Sequence, residues 1–572
     1  MPNPQTDTPE PQTDTPEPQN ATLMDLIERS VDLHADCPAL AFVGQEPLTY
    51  REFYGKIEKT AAKLRKIGVN AGDKVALLSE SMPHWGIAYF AVIKIGGIVV
   101  PILPDFHPNQ INHIIRHAEC KRVFVSGTLY EKLIERKIDT VDTMILIESF
   151  RVIPDNSTVE EVKGLQSKEE EDEDTQPDEC ESATLHPDDT ACILYTSGTS
   201  GRSKGVMLTH KNLITNAVYT DQIIAVGPGD RFLSILPLSH TYEFTVGFLQ
   251  PIRQGCVIYY LSKPPTARVL LPALAEVKPT AMLSIPLIIE KIYRLKVLPE
   301  LTKSAFKRKL YSFSFIRKQM HKIAGSKLKR TFGGELKLFG IGGSALSPDV
   351  EKFLREANFP YAIGYGATET SPLIAGGAPK VVKFRSTGPP FRGVELKIDN
   401  PDAETGEGEI LVKGGAVMKG YYRDEEGTKA VFTEDGWYKT GDLGVLDEDR
   451  FLYIKGRLKN MIVGPSGENI YPEEIECFFY ENNNVVEAIV YESKGNLVAR
   501  VHLDYEKIDE ECAGKNMNES DIKEYIGRIL EEIRDHVNNN VPRYCRINKT
   551  IEQTEPFEKT PTKKIKRYLF TE

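Results

Sequence analysis

The segment Tyr195-Thr196-Ser197-Gly198-Thr199-Ser200-Gly201-Arg202-Ser203-Lys204-Gly205 constrains this chain more than any other stretch. It follows Ala191-Cys192-Ile193-Leu194, which reads as a short buried strand, and precedes a run that reads as a helix. Small residues in succession let backbone N–H groups turn to one side and form an anion cradle. The hydroxyls and Lys204 add donors suited to phosphate. GxxxxGK[ST] cannot be laid on the segment, so it is not a P-loop. A Ser/Gly-rich linker would have similar composition, but a linker has no reason to end a buried strand and carry a lysine. The phosphate reading is therefore preferred.

The rest of the chain fits an α/β protein around such a loop. Strand, loop and helix signals alternate at Arg231 to Leu236, Cys256 to Leu261 and Glu335 to Phe339, which argues for layers with parallel pairing. Between 408 and 455 the texture changes to short strands and turns (Glu409 to Lys413, Phe451 to Ile454). From about 460 onward the chain has its own strand and helix signals, Val485 to Tyr491 and Asp521 to His536. The 572 residues allow two to four domains at roughly 150 residues each.

Composition excludes several classes. The 82 Asp and Glu outweigh 71 Lys and Arg, a net charge of −11, which argues against a general nucleic-acid binder. Eight scattered cysteines without a CxxC make neither a disulfide framework nor a zinc site, and they suit a reducing cytosol. The N-terminus is polar and proline-rich, unlike a signal peptide. The most apolar stretch, Trp85 to Leu103, is interrupted by Lys94 and Gly96-Gly97, so a helix, a glycine turn and a buried strand are expected rather than a transmembrane segment. PQTDTPE at 4–10 repeats unchanged at 11–17, and the six carboxylates Glu169 to Asp174 repel one another; both read as solvated, disordered segments. Globular sequence starts near Leu23, with Leu26, Ile27, Val31 and Leu33 apolar.

Five further segments bear chemistry. Gly340-Ile341-Gly342-Gly343-Ser344-Ala345 fits GxGxxA, but residues 357 to 366 supply no acid for a dinucleotide ribose. Its glycines suit close backbone approach to another ligand, such as a purine ring, and Ser347-Pro348 starts a helix with Val350, Phe353 and Leu354 on one face. Gly364-Tyr365-Gly366-Ala367-Thr368-Glu369-Thr370 offers an aromatic plane, a hydroxyl and a carboxylate suited to a nucleotide with Mg²⁺. Tyr438 to Gly444 places Asp442 in a glycine-flanked turn, where it could hold ribose hydroxyls or merely stabilise the turn. Lys455-Gly456-Arg457-Leu458-Lys459-Asn460 and Pro561 to Arg567 are basic runs, the second of a kind usually solvated.

Together and in this order the motifs resemble the adenylate-forming superfamily: acyl-CoA synthetases, firefly luciferases and peptide-synthetase adenylation domains. The resemblance runs from about residue 23 to the end. Ser239-His240-Thr241-Tyr242-Glu243 and Ser284 to Tyr293, with the basic stretch after it, look most like the long-chain fatty-acid–CoA ligases. The resemblance implies a disordered tail at 1–22, a large N-terminal domain at 23–458 of layered mixed sheets and helices with a β-rich subdomain, and a small mobile α+β C-terminal domain at 459–572. It implies activation of a fatty acid by ATP and Mg²⁺ through an acyl-AMP, then transfer to coenzyme A. A loader of an acyl carrier protein, or a nucleotide-binding regulator without turnover, are the alternatives.

Carried over residue by residue, Thr196, Ser197, Gly198, Thr199 and Lys204 would hold the β- and γ-phosphates. Gly342, Gly343, Tyr365 and Gly366 would frame adenine. Thr368 would touch the α-phosphate, Glu369 would bind Mg²⁺, and Asp442 with Arg457 would hold the ribose. Lys564 would bridge carboxylate and α-phosphate. Lys459 matches the hinge, Gly467 a loop lining the pantetheine tunnel, and His240 a position near the acid, which an ordinary packed histidine fits equally. Ser203 replaces a common proline, and Lys563 a common glycine, leaving three candidate lysines; Lys564 is chosen because it directly precedes Ile565. Residues 301–330 hold ten Lys or Arg and no acid, with Leu310, Phe313, Phe315, Ile316 and Met320 interleaved. A surface helix pair packed on the core explains them most simply; a patch meeting the inner membrane surface from the cytoplasm is the sharper reading.

Overall fold

The structure is a computed structural model that describes residues 20–135, 138–166, 182–196, 203–379, 381, 383–464, 469–482, 484–513, 517–560 and 564–570. The heptapeptide repeat, the six-carboxylate run, Ser197, Gly198, Thr199 and Gly467 lie outside the described residues.

The first helix, Leu23–His34, starts where the apolar pattern does, capped by Thr22 and Asp25 in a reciprocal box. Leu23, Leu26 and Ile27 are buried, but Leu33 points to solvent, off the core stripe. Two eight-stranded sheets carry most of the chain. One runs in the order 373–376, 361–366, 338–341, 281–284, 231–234, 257–260, 38–42, 48–49; the other runs 420–421, 204–209, 190–196, 98–102, 74–78, 122–125, 143–146, 151–152. Their central pairings are parallel and their edges antiparallel. A four-stranded antiparallel sheet (395–399, 408–413, 438–446, 452–457) matches the change of texture near 408.

The apolar stretch Trp85 to Leu103 resolves into the helix Pro83–Lys94, Gly96 at φ +79°, and the strand Ile98–Ile102. That helix lies between the two large sheets, with Trp85, Tyr89 and Phe90 fully buried. Removing such side chains from water stabilises by roughly 2 kcal/mol each, which explains a helix apolar on every face. Buried Lys94 is tolerated because its Nζ donates to Tyr54 Oη (3.0 Å) and Ser182 Oγ (3.2 Å), with Glu58 at 3.5 Å. Among the described residues no helix is long and apolar enough to cross a membrane.

Two expected elements are displaced. The strand expected at Glu335 to Phe339 runs instead at Leu338–Ile341, pairing with both 281–284 and 361–366, so Gly340 lies inside the strand. The segment after the small-residue loop is a strand, Lys204–Thr209, not a helix. Tyr195 pairs with Gly205 and Thr196 with Lys204, so the strands on either side of the small-residue segment are antiparallel neighbours. Helix His210–Tyr219 follows only after the cap at Thr209.

Beyond residue 460 the strands 485–493, 496–503 and 549–552 form a separate three-stranded sheet. Helices Pro472–Phe479 and Glu519–Asn540 contribute to a core of their own around Phe479, Val501, Ile508 and Ile533. Tyr471 Oη donates to Glu407 Oε2 (2.7 Å), and Lys455 Nζ bridges Glu407 (3.0 Å) and Glu474 (3.6 Å), joining this unit to the four-stranded sheet.

Candidate active site

The site assembles from loops at strand ends. Lys204, first residue of its strand, holds its Nζ 4.4 Å over the Tyr421 ring and 3.9 Å from Asp424 Oδ2. Tyr421 is fixed by the short strand Gly420–Tyr421, which pairs with 206–207. Its hydroxyl donates to Glu369 Oε1 at 3.0 Å, so one aromatic residue ties Lys204 to the carboxylate of the Gly364–Thr370 motif.

Glu369 sits in the 3₁₀ turn Thr368–Thr370, and that turn is clamped from behind. Fully buried Asn216, on helix His210–Tyr219, donates Nδ2 to Thr370 O (3.1 Å) and Leu373 O (2.8 Å) and accepts from Leu373 N (3.3 Å). Gly366 must lack a side chain for a steric reason: a Cβ there would lie 1.9 Å from Pro372 O.

Asp442 departs from expectation in its setting. It lies inside the strand Tyr438–Leu446, cross-paired with Arg457, and not in a turn. Gly441 at φ +70° bends the strand just before it. Asp442 is buried; Oδ2 accepts from Tyr365 Oη (2.7 Å) and Oδ1 faces Arg457 Nε (2.9 Å). The Arg457 guanidinium is raised above its ordinary pKa, chiefly by Asp442. Three predicted residues, Tyr365, Asp442 and Arg457, thus form one hydrogen-bonded unit.

Lys564 reaches this unit from the far end of the chain. Its backbone is held by Thr560: Thr560 N donates to Lys564 O, and Lys564 N donates to Thr560 Oγ1. The residue as a whole is exposed, yet surrounding protein pulls its pKa below that of a free lysine; Arg457 adds to the lowering, while Asp442 and Glu369 oppose it. The neighbouring Lys566 turns away to Glu558, and Arg567 to Glu476. Lys563 lies outside the described residues, so among those described Lys564 is the lysine of the run that enters the cleft.

His240 is the next neighbour. Enclosure, with Lys564 adding to it, drives its pKa to about 4, so the ring is neutral at pH 7. Tyr242 N donates to His240 Nδ1 (3.2 Å), which leaves the ring proton on Nε2. The Tyr242 ring covers the glycine strand: a Cβ on Gly340 would come within 2.9 Å of its hydroxyl, and one on Gly342 within 3.1 Å of the ring. Gly343 adopts φ +92°, a conformation that favours glycine. One residue past Tyr242, Glu243 is buried with Oε2 unpartnered; burial pushes its pKa up to about 8, with Ser234 opposing.

Lys204, Glu369, Tyr365, Asp442, Arg457 and Lys564 are therefore linked through contacts or felt charges, with His240 beside Lys564. Thr196 ends its strand opposite Lys204, and Lys459 lies in the exposed single turn Leu458–Asn460 between the four-stranded sheet and the later residues. Sequence reasoning missed Tyr421, Asn216 and Tyr242 as supports. Tyr242 stood inside a quoted motif; Asn216 carried no local signal, because its partners lie more than 150 residues away.

The AMP-binding enzyme family matches residues 27–422, about two-thirds of the chain. This chain belongs to that family. Its curated relatives include CoA ligases of two kinds. The long-chain-fatty-acid–CoA ligase FadD15 of Mycobacterium bovis is 28% identical over 501 residues, covering 81% of this chain and 78% of its own length. The 4-coumarate–CoA ligase CCL1 of Humulus lupulus is 29% identical over 545 residues, covering 92% and 88%. Among solved structures, the anthranilate CoA ligase AuaEII in complex with anthranoyl-AMP matches with a TM-score of 0.75 at 21% identity over 97% of both chains, a likeness of fold. The mixed α/β layering expected from the sequence is thus that of the adenylate-forming enzymes.

Proposed function

We propose that this chain is an AMP-forming ligase that joins a carboxylic acid to coenzyme A, and that its acid is a long-chain fatty acid. The observation that carries the reading is Lys564 in the cleft, beside the Tyr365–Asp442–Arg457 unit, Glu369 and His240.

In the first half-reaction a carboxylate oxygen of the acid attacks the α-phosphorus of ATP, and pyrophosphate leaves. The substrate is its own nucleophile, so the chain's work is positioning and charge neutralisation. Thr196, Ser197, Gly198, Thr199 and Lys204 hold the β- and γ-phosphates. Gly342, Gly343, Tyr365 and Gly366 frame adenine, and Asp442 with Arg457 holds the ribose. Thr368 touches the α-phosphate, and Lys564 offsets charge on both carboxylate and phosphate. Neutral His240 donates from Nε2 at the acid's side. Mg²⁺ would be held by the carboxylate of Glu369, whose Oε1 accepts from Tyr421 Oη at 3.0 Å, and would neutralise charge on the phosphates when bound.

In the second half-reaction the CoA thiol attacks the acyl carbon and AMP leaves. Residues 459–572 act as a mobile domain that turns about Lys459, withdrawing Lys564 and bringing Gly467 to the pantetheine. The separate core of that unit and its polar seam with the four-stranded sheet support such a motion.

The long-chain assignment is supported by the motif Ser239–Glu243 and by curated relatives named for long-chain acids. The aryl-acid relatives make it the point to test. The protein is proposed to work in the cytoplasm and to meet membranes peripherally through residues 301–330. A panel of straight-chain acids of graded length, with 4-hydroxycinnamate included, should give thioester fastest with the long acids. Preferential use of the aryl acid would overturn the long-chain assignment, and transfer to a carrier protein in place of CoA would overturn the acceptor.

A further inference from the structure

Exposed apolar side chains are concentrated in one place. Of the eighteen large hydrophobic residues exposed among the described residues, six (Leu287, Leu295, Phe306, Phe313, Phe315 and Ile323) fall between positions 287 and 323. Phe306 is 71% exposed, Phe313 54%, Phe315 73% and Ile323 74%. Single exposed leucines need no explanation, but a run of outward phenylalanines does.

Their setting is a rigid pair of helices. Helix Ala305–Tyr311 buries no residue, and helix Ser314–Thr331 turns Phe315, Lys318, Lys322, Ile323, Lys327 and Arg330 to solvent. Phe315 and Ile323 are eight positions apart, so they share one face about 12 Å apart, with the cations interleaved. The opposite face is anchored. Tyr311 Oη lies 3.3 Å from Tyr293 Oη and 2.9 Å from His321 Nε2, and His321 Nδ1 lies 2.8 Å from Glu356 Oε2. Arg317 grips the same carboxylate with Nε at 3.2 Å and an η-nitrogen at 3.1 Å. Gly325 lets the helix close on Ala357: a Cβ there would sit 2.5 Å from the alanine's own. The outward phenylalanines are therefore presented by a fixed platform, not by a loose segment that could fold them inward.

We infer that this platform is an interfacial membrane anchor: the phenylalanines and Ile323 insert into the headgroup–acyl boundary of an anionic bilayer, and the surrounding lysines and arginines bind its phosphates. The charge decides the occupant. Residues 301–330 carry ten Lys or Arg and no acid, on a chain whose net charge is −11. Attraction of cations to an anionic leaflet contributes about 1 kcal/mol per residue near the surface, and inserted rings add the apolar term. An acidic protein would satisfy the charges, but it would leave exposed phenyl groups on three successive segments needing matched pockets, whereas lipid chains accommodate them in any register. The inference rests on the long-chain reading for its purpose, since such acids reside in bilayers. It adds a means of attachment by insertion, which charge alone would not require.

The test is sedimentation of the full-length protein with sucrose-loaded vesicles, either pure phosphatidylcholine or phosphatidylcholine mixed with phosphatidylglycerol. Parent protein should bind the anionic vesicles, and only weakly at high salt. The variant Phe306→Ser/Phe313→Ser/Phe315→Ser/Ile323→Ser should lose at least about tenfold in affinity at low salt. Lys307→Glu/Arg308→Glu/Lys309→Glu should lose binding at low salt as well. Unchanged melting temperature and unchanged thioester synthesis from dissolved octanoate show that each variant is folded. Parent protein that stays in the supernatant with both vesicles, or a four-serine variant that binds like the parent, overturns the anchor. Failure of the parent to make thioester from any acid of the graded panel would instead overturn the ligase reading and leave the vesicle result standing.

Discussion

At Asp442 two oxygens serve two partners, Tyr365 and Arg457, and the same carboxylate is the proposed ribose ligand. Asp442→Asn keeps the shape and removes the charge. A charge-assisted hydrogen bond contributes roughly 1.5–3 kcal/mol, so KM for ATP should rise about ten- to hundredfold in steady-state kinetics, with thermal stability little changed. Lys564 supplies a second prediction. Enclosure lowers its pKa, and its working form is the charged one, so adenylation should fall on the alkaline side at a lower pH than an ordinary lysine near 10.4 would impose. Lys564→Arg should move that limb upward; an unmoved limb would assign it to another group. Glu243 makes the third. Its folded pKa is raised to about 8 against about 4.3 in an unfolded chain. The folded state thus holds a proton the unfolded state lacks, and stability falls as pH rises from about 4.3 towards about 8, by on the order of 1 kcal/mol per unit. Glu243→Gln should flatten this slope, which urea midpoints at several pH values would read out. The motif residues themselves stood out in the sequence because each is a chemical type that binding of a nucleotide and an acid would require. Their supports did not, since Asn216 and Tyr421 matter only through partners distant in sequence.

Among the elements, the paired strands 190–196 and 204–209 teach most. Apolar residues at Val206, Met207 and Leu208 suit either a helix or a buried strand, and periodicity over so few positions does not separate them. Pairing with 190–196 decides for the strand, and it brings Lys204 against Tyr421. The turn holding Glu369 depends on close backbone approach in the same way. Gly366→Ala would drive a methyl group into Pro372 O, so the turn must move. Adenylation should fall by more than a hundredfold while circular dichroism stays that of a folded protein; near-parent activity would refute a fixed turn. Alternating strands and helices were readable because the buried segments are short, apolar and bounded by glycine, as at Gly96. Strand ends were not: the sequence marks Glu335 to Phe339 as apolar-rich, yet pairing to Ser284 and Ile363 shifts the strand onto the glycines.

For the whole molecule, the family match covers residues 27–422, and residues far apart in the chain meet: Lys204 with Tyr421 and Glu369, and Tyr365 with Asp442 and Arg457, beside Lys564. What could not be read is how the C-terminal unit sits, because that depends on contacts such as Tyr471 with Glu407 and Lys455 with Glu474. With Lys564 in the cleft, the structure holds the arrangement proposed above for the first half-reaction. The most direct measurement is exchange of labelled pyrophosphate into ATP, with Mg²⁺ and hexadecanoate present and CoA absent, in parent protein and Lys564→Ala. The account predicts exchange that requires the acid and is nearly abolished in the variant, while the variant still makes thioester from supplied acyl-AMP. No acid-dependent exchange in well-folded parent protein, or undiminished exchange in the variant, would contradict it.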